Sequence, residues 1–496
     1  MNNICFPNAK IIAGYFRSVI LPQAILLLMV FLIPAEAQVS ESLRAIIEDG
    51  HASDSYWSVV VTDSSGNLIE NYNGEKLIRP ASTQKLITSA AALHLLGPDH
   101  IYETVLYGSG SQEQNVWKGD LLIRGKGDPT INGDFYNDPM FLFEEWVELF
   151  DSLGVNRIDG NLIGNDSYFD DIPYPRGWEW DDLSYYYGVE INALSFNKNV
   201  VDLEVIADGP IGSVPDITWF PFDTPFVEFI NEQIITPPNA SFDESYRRIL
   251  GTNTIILRSS LPQGYYETEP LSVTHPTLYF LDTMKRYFEN RGIQVNGQIL
   301  KDRESRNWET AGYQVLHLHK SVPLKEIVRE KNENSDNFYS EILVKTLASE
   351  VYKVEGSTEL GLQAVKQFLH SAGIDTNNVR MRDGSGMAPA NLIRATDLNQ
   401  LLLYMKESEH YGDFRNSLAR AGNSGTLRYR FHNSPVRGRF AGKSGFVSGV
   451  RALSGYLTTR DGQELIVTIT TNNYTKRTAL IDQVHQRILE HLYSVY

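Results

Sequence analysis

The two ends of this chain carry matching halves of one fold. Near the start, residues 57–62 and Leu68–Tyr72 read as strands joined by the turn sequence Asp63-Ser64-Ser65-Gly66. A short amphipathic helix, Glu41–Glu48, precedes them, and a second helix follows within 79–97. Near the end, residues 437–443, 451–457 and 464–471 read as strands, the last two joined by Arg460-Asp461-Gly462. Helical periodicity covers 324–331, 338–352 and 358–372 before them, and 475–493 after them. Together the ends combine into one α+β domain, and the middle of the chain is an insertion into it.

That middle, 103–312, changes character. Strand-like pieces recur at 103–107, 120–123, 161–163, 201–207 and Thr254–Leu257, separated by aspartate, glycine, proline and aromatic residues. The region is expected to be mostly β, in two subdomains. The domain scheme is therefore 1–37 as a leader, 38–102 as the first part of the α+β domain, 103–312 as the insertion, and 313–496 as the second part. The acidic, aromatic segment 166–187, with Trp178, Trp180 and Tyr185-Tyr186-Tyr187, is read as a loop packed by its aromatics, in preference to a groove wall.

Residues 1–37 have the plan of an export signal. Lys10 and Arg17 precede an apolar run over 19–33, and Ala35-Glu36-Ala37 fits a cleavage site. A periplasmic or otherwise exported protein is expected. Its single cysteine, Cys5, lies in that segment. The mature chain then has no thiol, which excludes thiol catalysis and disulfides. A net charge of −17 argues against a general nucleic-acid binder. Leu480, Val484, Ile488, Leu489 and Leu492 form an apolar stripe. It is read as a helix covering the sheet, with membrane contact at most peripheral.

The helix at 79–97 holds Ser82-Thr83-Gln84-Lys85, just after Pro80 and well before the stop at Gly97-Pro98. At i and i+3, Ser82 and Lys85 are neighbours, a hydroxyl beside an amine: a candidate nucleophile with its base. A second copy, Ser195-Phe196-Asn197-Lys198, leads into a strand and is set aside as chance. Two further short motifs follow. Ser335-Asp336-Asn337 stands in the turn before a helix, where it could also be an ordinary cap. Lys443-Ser444-Gly445 stands on a strand, where glycine leaves an edge unobstructed for a substrate.

The three motifs form the set S-x-x-K, S-D-N and K-[T/S]-G, in the order and the helix, loop and strand contexts of serine β-lactamases and penicillin-binding proteins. Ser82 and Ser335 are 253 residues apart, too far for a compact β-lactamase. The chain resembles the penicillin-binding protein 4 type of D-alanyl-D-alanine carboxypeptidase/endopeptidase, the peptidase S13 family. The resemblance extends to Gly125-Lys126-Gly127-Asp128-Pro129-Thr130, Ser321-Val322-Pro323-Leu324, Asp383-Gly384-Ser385-Gly386 and Gly425-Thr426-Leu427.

It implies a transpeptidase/β-lactamase-like αβα sandwich with the largely β insertion between the first and second motifs. It also implies peptidoglycan stem peptides as substrates, β-lactams as inhibitors, and neither metal nor cofactor. By the same resemblance Ser82 attacks the penultimate D-alanine carbonyl, Lys85 takes its proton, Ser335 relays a proton to the leaving amine, and Asn337 holds the substrate amide and orients Lys85. Lys443, Ser444 and Gly445 lie along the substrate, and the backbone N–H of Phe446 joins that of Ser82 in an oxyanion hole. For Lys85 to act as base its amine must be neutral, and burial together with Lys443 could lower its pKa.

Two departures from the family pattern stand out. Ser444 and Phe446 replace threonines, so Phe446 offers no second hydroxyl to the substrate carboxylate. Met387-Ala388-Pro389 follows Asp383–Gly386 where a Leu-Ser-Arg-like segment is usual, which removes a possible substrate-binding arginine. The rival readings are a β-lactamase or esterase using the same centre, and a non-enzymatic penicillin-binding or wall-binding protein. A phosphate loop at 438–444 is rejected because Arg437 stands where glycine is needed. A histidine-based hydrolase is rejected for want of a G-x-S-x-G elbow, and a metal at His317 and His319 for want of a third ligand.

Overall fold

A computed structural model describes residues 39–49, 53–221, 223–304, 308 and 311–496. The leader read at 1–37, with Cys5, lies outside the described residues.

A six-stranded antiparallel sheet joins the two ends of the chain. Its order is Leu68–Tyr72, Tyr56–Asp63, Glu464–Asn472, Val450–Thr458, Phe440–Val447 and Ala419–Arg420. The seam between the halves runs from Tyr56 opposite Asn472 to Asp63 opposite Leu465. The central strands are buried on both faces, and neighbouring residues along them point to opposite sides. Trp57, Val59, Val61, Leu465, Val467 and Ile469 point one way, onto the helices Glu41–Glu48 and Thr478–Val495. Ile466, Tyr456 and Ala441 point the other way, onto a layer that includes Lys85–Leu96, Asn337–Tyr352, Thr358–Ser371 and Ala395–Glu407. Two helical layers thus enclose one sheet, the expected αβα sandwich. The C-terminal stripe covers the sheet: Val484, Ile488, Leu489 and Leu492 are buried there, and Leu480 is half-buried. No helix among the described residues is long and apolar enough to cross a membrane.

The middle of the chain builds its own sheets. A five-stranded sheet runs Ile299–Lys301, Leu162–Asn165, Leu121–Gly125, Glu103–Ser109 and Tyr313–Lys320. The last strand pairs antiparallel with Glu103–Ser109, so the inserted sheet extends through Lys320, past residue 312. Two helices, Phe141–Ser152 and Pro276–Asn290, run through the region. Phe143, Trp146 and Phe150 of the first meet Phe280, Met284 and Phe288 of the second in a separate aromatic core. His317 and His319 belong to this region and approach Glu145, each at 3.7 Å. They are not part of the Ser82 site.

Candidate active site

The three motifs, scattered through the sequence, meet where the Lys85–Leu96 helix, the Asn337–Tyr352 helix and the Phe440–Val447 strand converge. Residues 81–84 form a 3₁₀ turn, not the first turn of the α-helix expected from Pro80, and the α-helix begins at Lys85. The difference is useful to the site. A 3₁₀ turn has three residues per turn, so the side chains at i and i+3 eclipse. Lys85 Nζ accordingly lies 2.9 Å from Ser82 Oγ. Ala81, just before the serine, has φ 47°, a left-handed conformation that costs a non-glycine residue energy and is held by its surroundings.

Lys85 is fully buried. Besides Ser82, its amine donates to Asn337 Oδ1 at 2.6 Å and to the Ser385 carbonyl at 2.9 Å. Burial lowers its pKa to about 8, while Asp383, Glu341 and Asp336 pull the other way. The downward shift expected from burial is present; the share expected from Lys443 is not, and the nearby carboxylates oppose the shift. Lys443 is also fully buried, and burial, then Lys85, Lys331 and Arg451, push its amine well below the ordinary lysine range.

The second motif is bent into place by its backbone. Ser335 ends the helix Leu324–Asn334 in the left-handed conformation, φ 64°. Asp336 caps the next helix, accepting from the Tyr339 N–H, and Asn337 is that helix's first residue. The Asn337 amide is thereby oriented at both ends: Oδ1 faces Lys85, and Nδ2 donates to the Tyr187 carbonyl at 2.9 Å.

A cavity of about 540 Å³ opens over these groups. Ser82, Ser335, Asn337, Ser444 and Phe446 line it, whereas Lys85, Lys443 and Gly445 lie behind its wall. The Lys443 amine does not face the cavity; it donates to the Ser444 carbonyl at 2.9 Å. Ser444 Oγ instead shares a 2.6 Å hydrogen bond with Thr426 Oγ1, which also lines the cavity. Phe446 is half-exposed, with the Arg451 guanidinium 5.7 Å from its ring centre. Gly445 lies so close to the serine's turn that a Cβ there would sit 3.0 Å from the Pro80 carbonyl oxygen.

Segment 166–187 is more than a packed loop. Glu179, Asp182, Tyr186 and Tyr187 form one wall of the cavity that holds Ser82. Burial, then Asp181 and Glu179, push the Asp182 carboxyl up to about 6. Loop composition alone does not tell which elements a loop lies against; here the inserted region leans over the second motif.

The sequence reading also missed the buried charges beneath the site. Glu341 accepts from the Gly384 and Ser385 N–H groups at 3.0 and 2.8 Å. Burial, then Asp383, push it up to about 8. Asp383 accepts from the Gly386 and Ala388 N–H groups and from Gln84 and Trp178. These carboxylates shape the Asp383–Gly386 loop so that the Ser385 carbonyl points at Lys85. Lys331, fully buried, donates to the Lys85 carbonyl at 3.0 Å. Glu341 follows Asn337 by one helical turn, a spacing that could have flagged it.

A serine with a lysine, not a histidine, at its side, on an αβα sandwich with a large insertion, defines a serine hydrolase of the penicillin-binding and β-lactamase-like class. The D-Ala-D-Ala carboxypeptidase 3 (S13) family model matches residues 39–489. The chain belongs to that family and is a serine-type peptidase. A D-alanyl-D-alanine carboxypeptidase of Actinomadura sp. (strain R39) is 28% identical over 450 residues, 88% of this chain and 81% of that one. The D-alanyl-D-alanine carboxypeptidase DacB of Haemophilus influenzae is 26% identical over 443 residues, 87% of this chain and 89% of that one. The crystal structure of penicillin binding protein 4 from Haemophilus influenzae superimposes with a TM-score of 0.80 at 24% identity, covering 92% of this chain and 100% of that one.

Proposed function

We propose that this protein removes terminal D-alanine from peptidoglycan stem peptides, and cleaves D-alanyl crosslinks, through an acyl-enzyme on Ser82. The observation that carries the reading is the Lys85 amine, buried, titrating near 8 and 2.9 Å from Ser82 Oγ. A neutral amine there takes the hydroxyl proton as Ser82 attacks the carbonyl of the penultimate D-alanine. The tetrahedral oxyanion lies between the N–H groups of Ser82 and Phe446, a reading supported by the close packing of Gly445, the residue before Phe446, on the Pro80 carbonyl of the Ser82 turn. Ser335 relays to the departing amine the proton that Lys85 took from Ser82, and Asn337 orients the Lys85 amine through Oδ1. Water then hydrolyses the ester.

The Thr426–Ser444 hydroxyl pair suits the terminal carboxylate, with the Lys443 amine behind it. That arrangement gives the carboxylate a second hydroxyl in spite of Phe446. The Glu179 and Asp182 wall favours a stem residue that carries a free amine. β-Lactams acylate the same serine; one related structure, penicillin binding protein 4 of Haemophilus influenzae, is complexed with a β-lactam. Export with removal of residues 1–37 fits this substrate, which lies outside the cytoplasm.

The test is labelling with a fluorescent penicillin, comparing the mature protein with Ser82→Ala, followed by release of D-alanine from a pentapeptide stem. Stable, Ser82-dependent labelling with D-alanine release supports the reading. Label that is lost within seconds as the drug is hydrolysed points to a β-lactamase, and equal behaviour of the Ser82→Ala protein overturns the assignment.

A further inference from the structure

The second S-x-x-K copy has a place in the fold that its spacing does not suggest. Ser195 does not pair with Lys198. Its hydroxyl joins an asparagine network, donating to Asn192 Oδ1 at 2.7 Å and accepting from Asn199 Nδ2 at 3.2 Å. Lys198 turns the other way, toward the second motif. Its amine lies 2.9 Å from Asp134 Oδ2 and 3.5 Å from Asp336 Oδ2. It also lies 5.9 Å from the centre of the Tyr339 ring.

The backbone that delivers this lysine is unusual. Asn197, Lys198 and Asn199 have φ of 48°, 52° and 60°, three left-handed residues in succession with no glycine among them. Such a run is unfavourable for L-residues and persists only where its surroundings fix it. Here Asn197 Nδ2 donates to Asp202 Oδ2 at 2.9 Å, and Asn199 Nδ2 to the Glu190 carbonyl at 2.8 Å.

The far end of the contact is the turn that carries Ser335 and Asn337. Asp336 sits between them, and its other oxygen accepts from the Tyr339 N–H at 3.3 Å. Tyr339 in turn donates its hydroxyl to Asp134 at 2.6 Å and accepts from Asn132 Nδ2 at 3.0 Å. Asp134, Lys198, Asp336 and Tyr339 therefore form one closed set linking the inserted region to the second motif. Without the ammonium, the Asp134 and Asp336 carboxylates would face each other across a half-buried space with nothing between them. Burial disfavours the charged lysine, yet Asp336 and Asp134 outweigh it and hold the amine above the ordinary lysine range.

We propose that Lys198 is a positioning residue for acylation, by which the inserted region holds the Ser335-Asp336-Asn337 turn in its working geometry. The effect reaches the reacting atoms through Asn337, whose Oδ1 accepts from Lys85. The proposal rests on the Ser82 acyl-enzyme reading. It predicts a loss in the acylation step itself, with little change in β-lactam binding, because Lys198 does not line the Ser82 cavity.

The experiment measures single-turnover acylation by a fluorescent penicillin over a range of drug concentrations, which separates the limiting acylation rate from the half-saturating concentration. For Lys198→Met the limiting rate is expected to fall 10- to 100-fold, with the half-saturating concentration changed less than 3-fold. Lys198→Arg, which keeps the cation, is expected to stay within 5-fold of the wild type. If Lys198→Met does not fold, Lys198→Gln, which removes the cation but keeps a polar side chain between the two carboxylates, is expected to show the same loss of limiting rate. A wild-type limiting rate in a folded variant lacking the cation overturns the proposal, and so does a Lys198→Arg protein as slow as Lys198→Met. If the wild type itself shows no Ser82-dependent labelling, the acyl-enzyme reading fails and this proposal with it.

Discussion

Lys85 and Asn337 are joined by a 2.6 Å hydrogen bond although they lie 252 residues apart in the chain. The bond ties the first motif to the second across the whole insertion. It also gives Asn337 two duties, since its Nδ2 is committed to the Tyr187 carbonyl of the insertion. An amide is suited to this place because it accepts at one end and donates at the other.

Replacing Asn337 with alanine removes both contacts. The Lys85 amine loses one of its three acceptors, and the Tyr187 carbonyl loses its donor. The expected result is a fall in the acylation rate of about 10²-fold, equal to roughly 3 kcal/mol of transition-state stabilisation. Asn337→Asp keeps the acceptor but loses the donor, and its carboxylate holds the Lys85 proton more tightly. It should therefore also be slow near neutral pH and recover in part at higher pH. Penicillin acylation kinetics measure both.

The acylation rate should rise with pH. With Lys85 titrating at about 8, roughly a tenth of it is neutral at pH 7 and most of it at pH 9. Only the neutral amine accepts the Ser82 proton, so the rate climbs through pH 8 and levels off above it. Measuring the acylation rate from pH 6 to pH 10 checks this. A rate that is flat across that range would remove Lys85 from the role of base.

Glu341 supports the same pair from below. Glu341→Ala strands the Gly384 and Ser385 N–H groups in a fully buried site. Each orphaned donor costs about 1–3 kcal/mol, so the two together predict a loss of about 2–6 kcal/mol in stability, read from urea unfolding. Glu341→Gln keeps an acceptor and should cost less. It also removes a carboxylate that holds the Lys85 pKa up, so the midpoint of the acylation profile should move below 8.

The sandwich was legible in the sequence because its signals are local and repeated. The strands near 451–457 and 464–471 are short apolar runs rich in β-formers and joined by a turn sequence, and the C-terminal stripe has helical spacing. The site was legible as three motifs because Ser82–Lys85 and Ser335–Asn337 are each contiguous. The helix Phe141–Ser152 was not separated from its β-rich surroundings, although Leu142, Phe143, Trp146, Val147 and Phe150 share a helical face. Its aromatics suit strands as well as helices, so composition alone does not mark it off. The wall formed by Asp182 and Tyr187, the role of Glu341, and the inward turn of Lys443 depend on long-range packing. No local pattern encodes which elements meet. The shift of the third-motif strand to Phe440–Val447, which puts Ser444 in mid-strand, is likewise set by pairing with Val450–Thr458.

Asp182 makes the substrate wall sensitive to acid. Its carboxyl titrates at about 6, raised by burial and by Asp181 and Glu179. Above pH 6 it is ionised and attracts an ammonium on the stem peptide; as the pH falls through 6 it takes up a proton and that attraction is lost. For stem peptides whose third residue bears a free amine, KM should therefore rise as the pH drops from 7 to 5. KM for the same peptide with that amine acetylated should stay nearly constant. Asp182→Asn should raise KM for the amine-bearing peptide about 3- to 10-fold at pH 7, and abolish the difference between pH 7 and pH 5. The acetylated peptide separates this effect from the titration of Lys85, which changes the rate for both substrates alike. If both peptides respond equally to pH and to Asp182→Asn, the wall does not read the amine, and the acidic residues there serve only to seat Tyr186 and Tyr187.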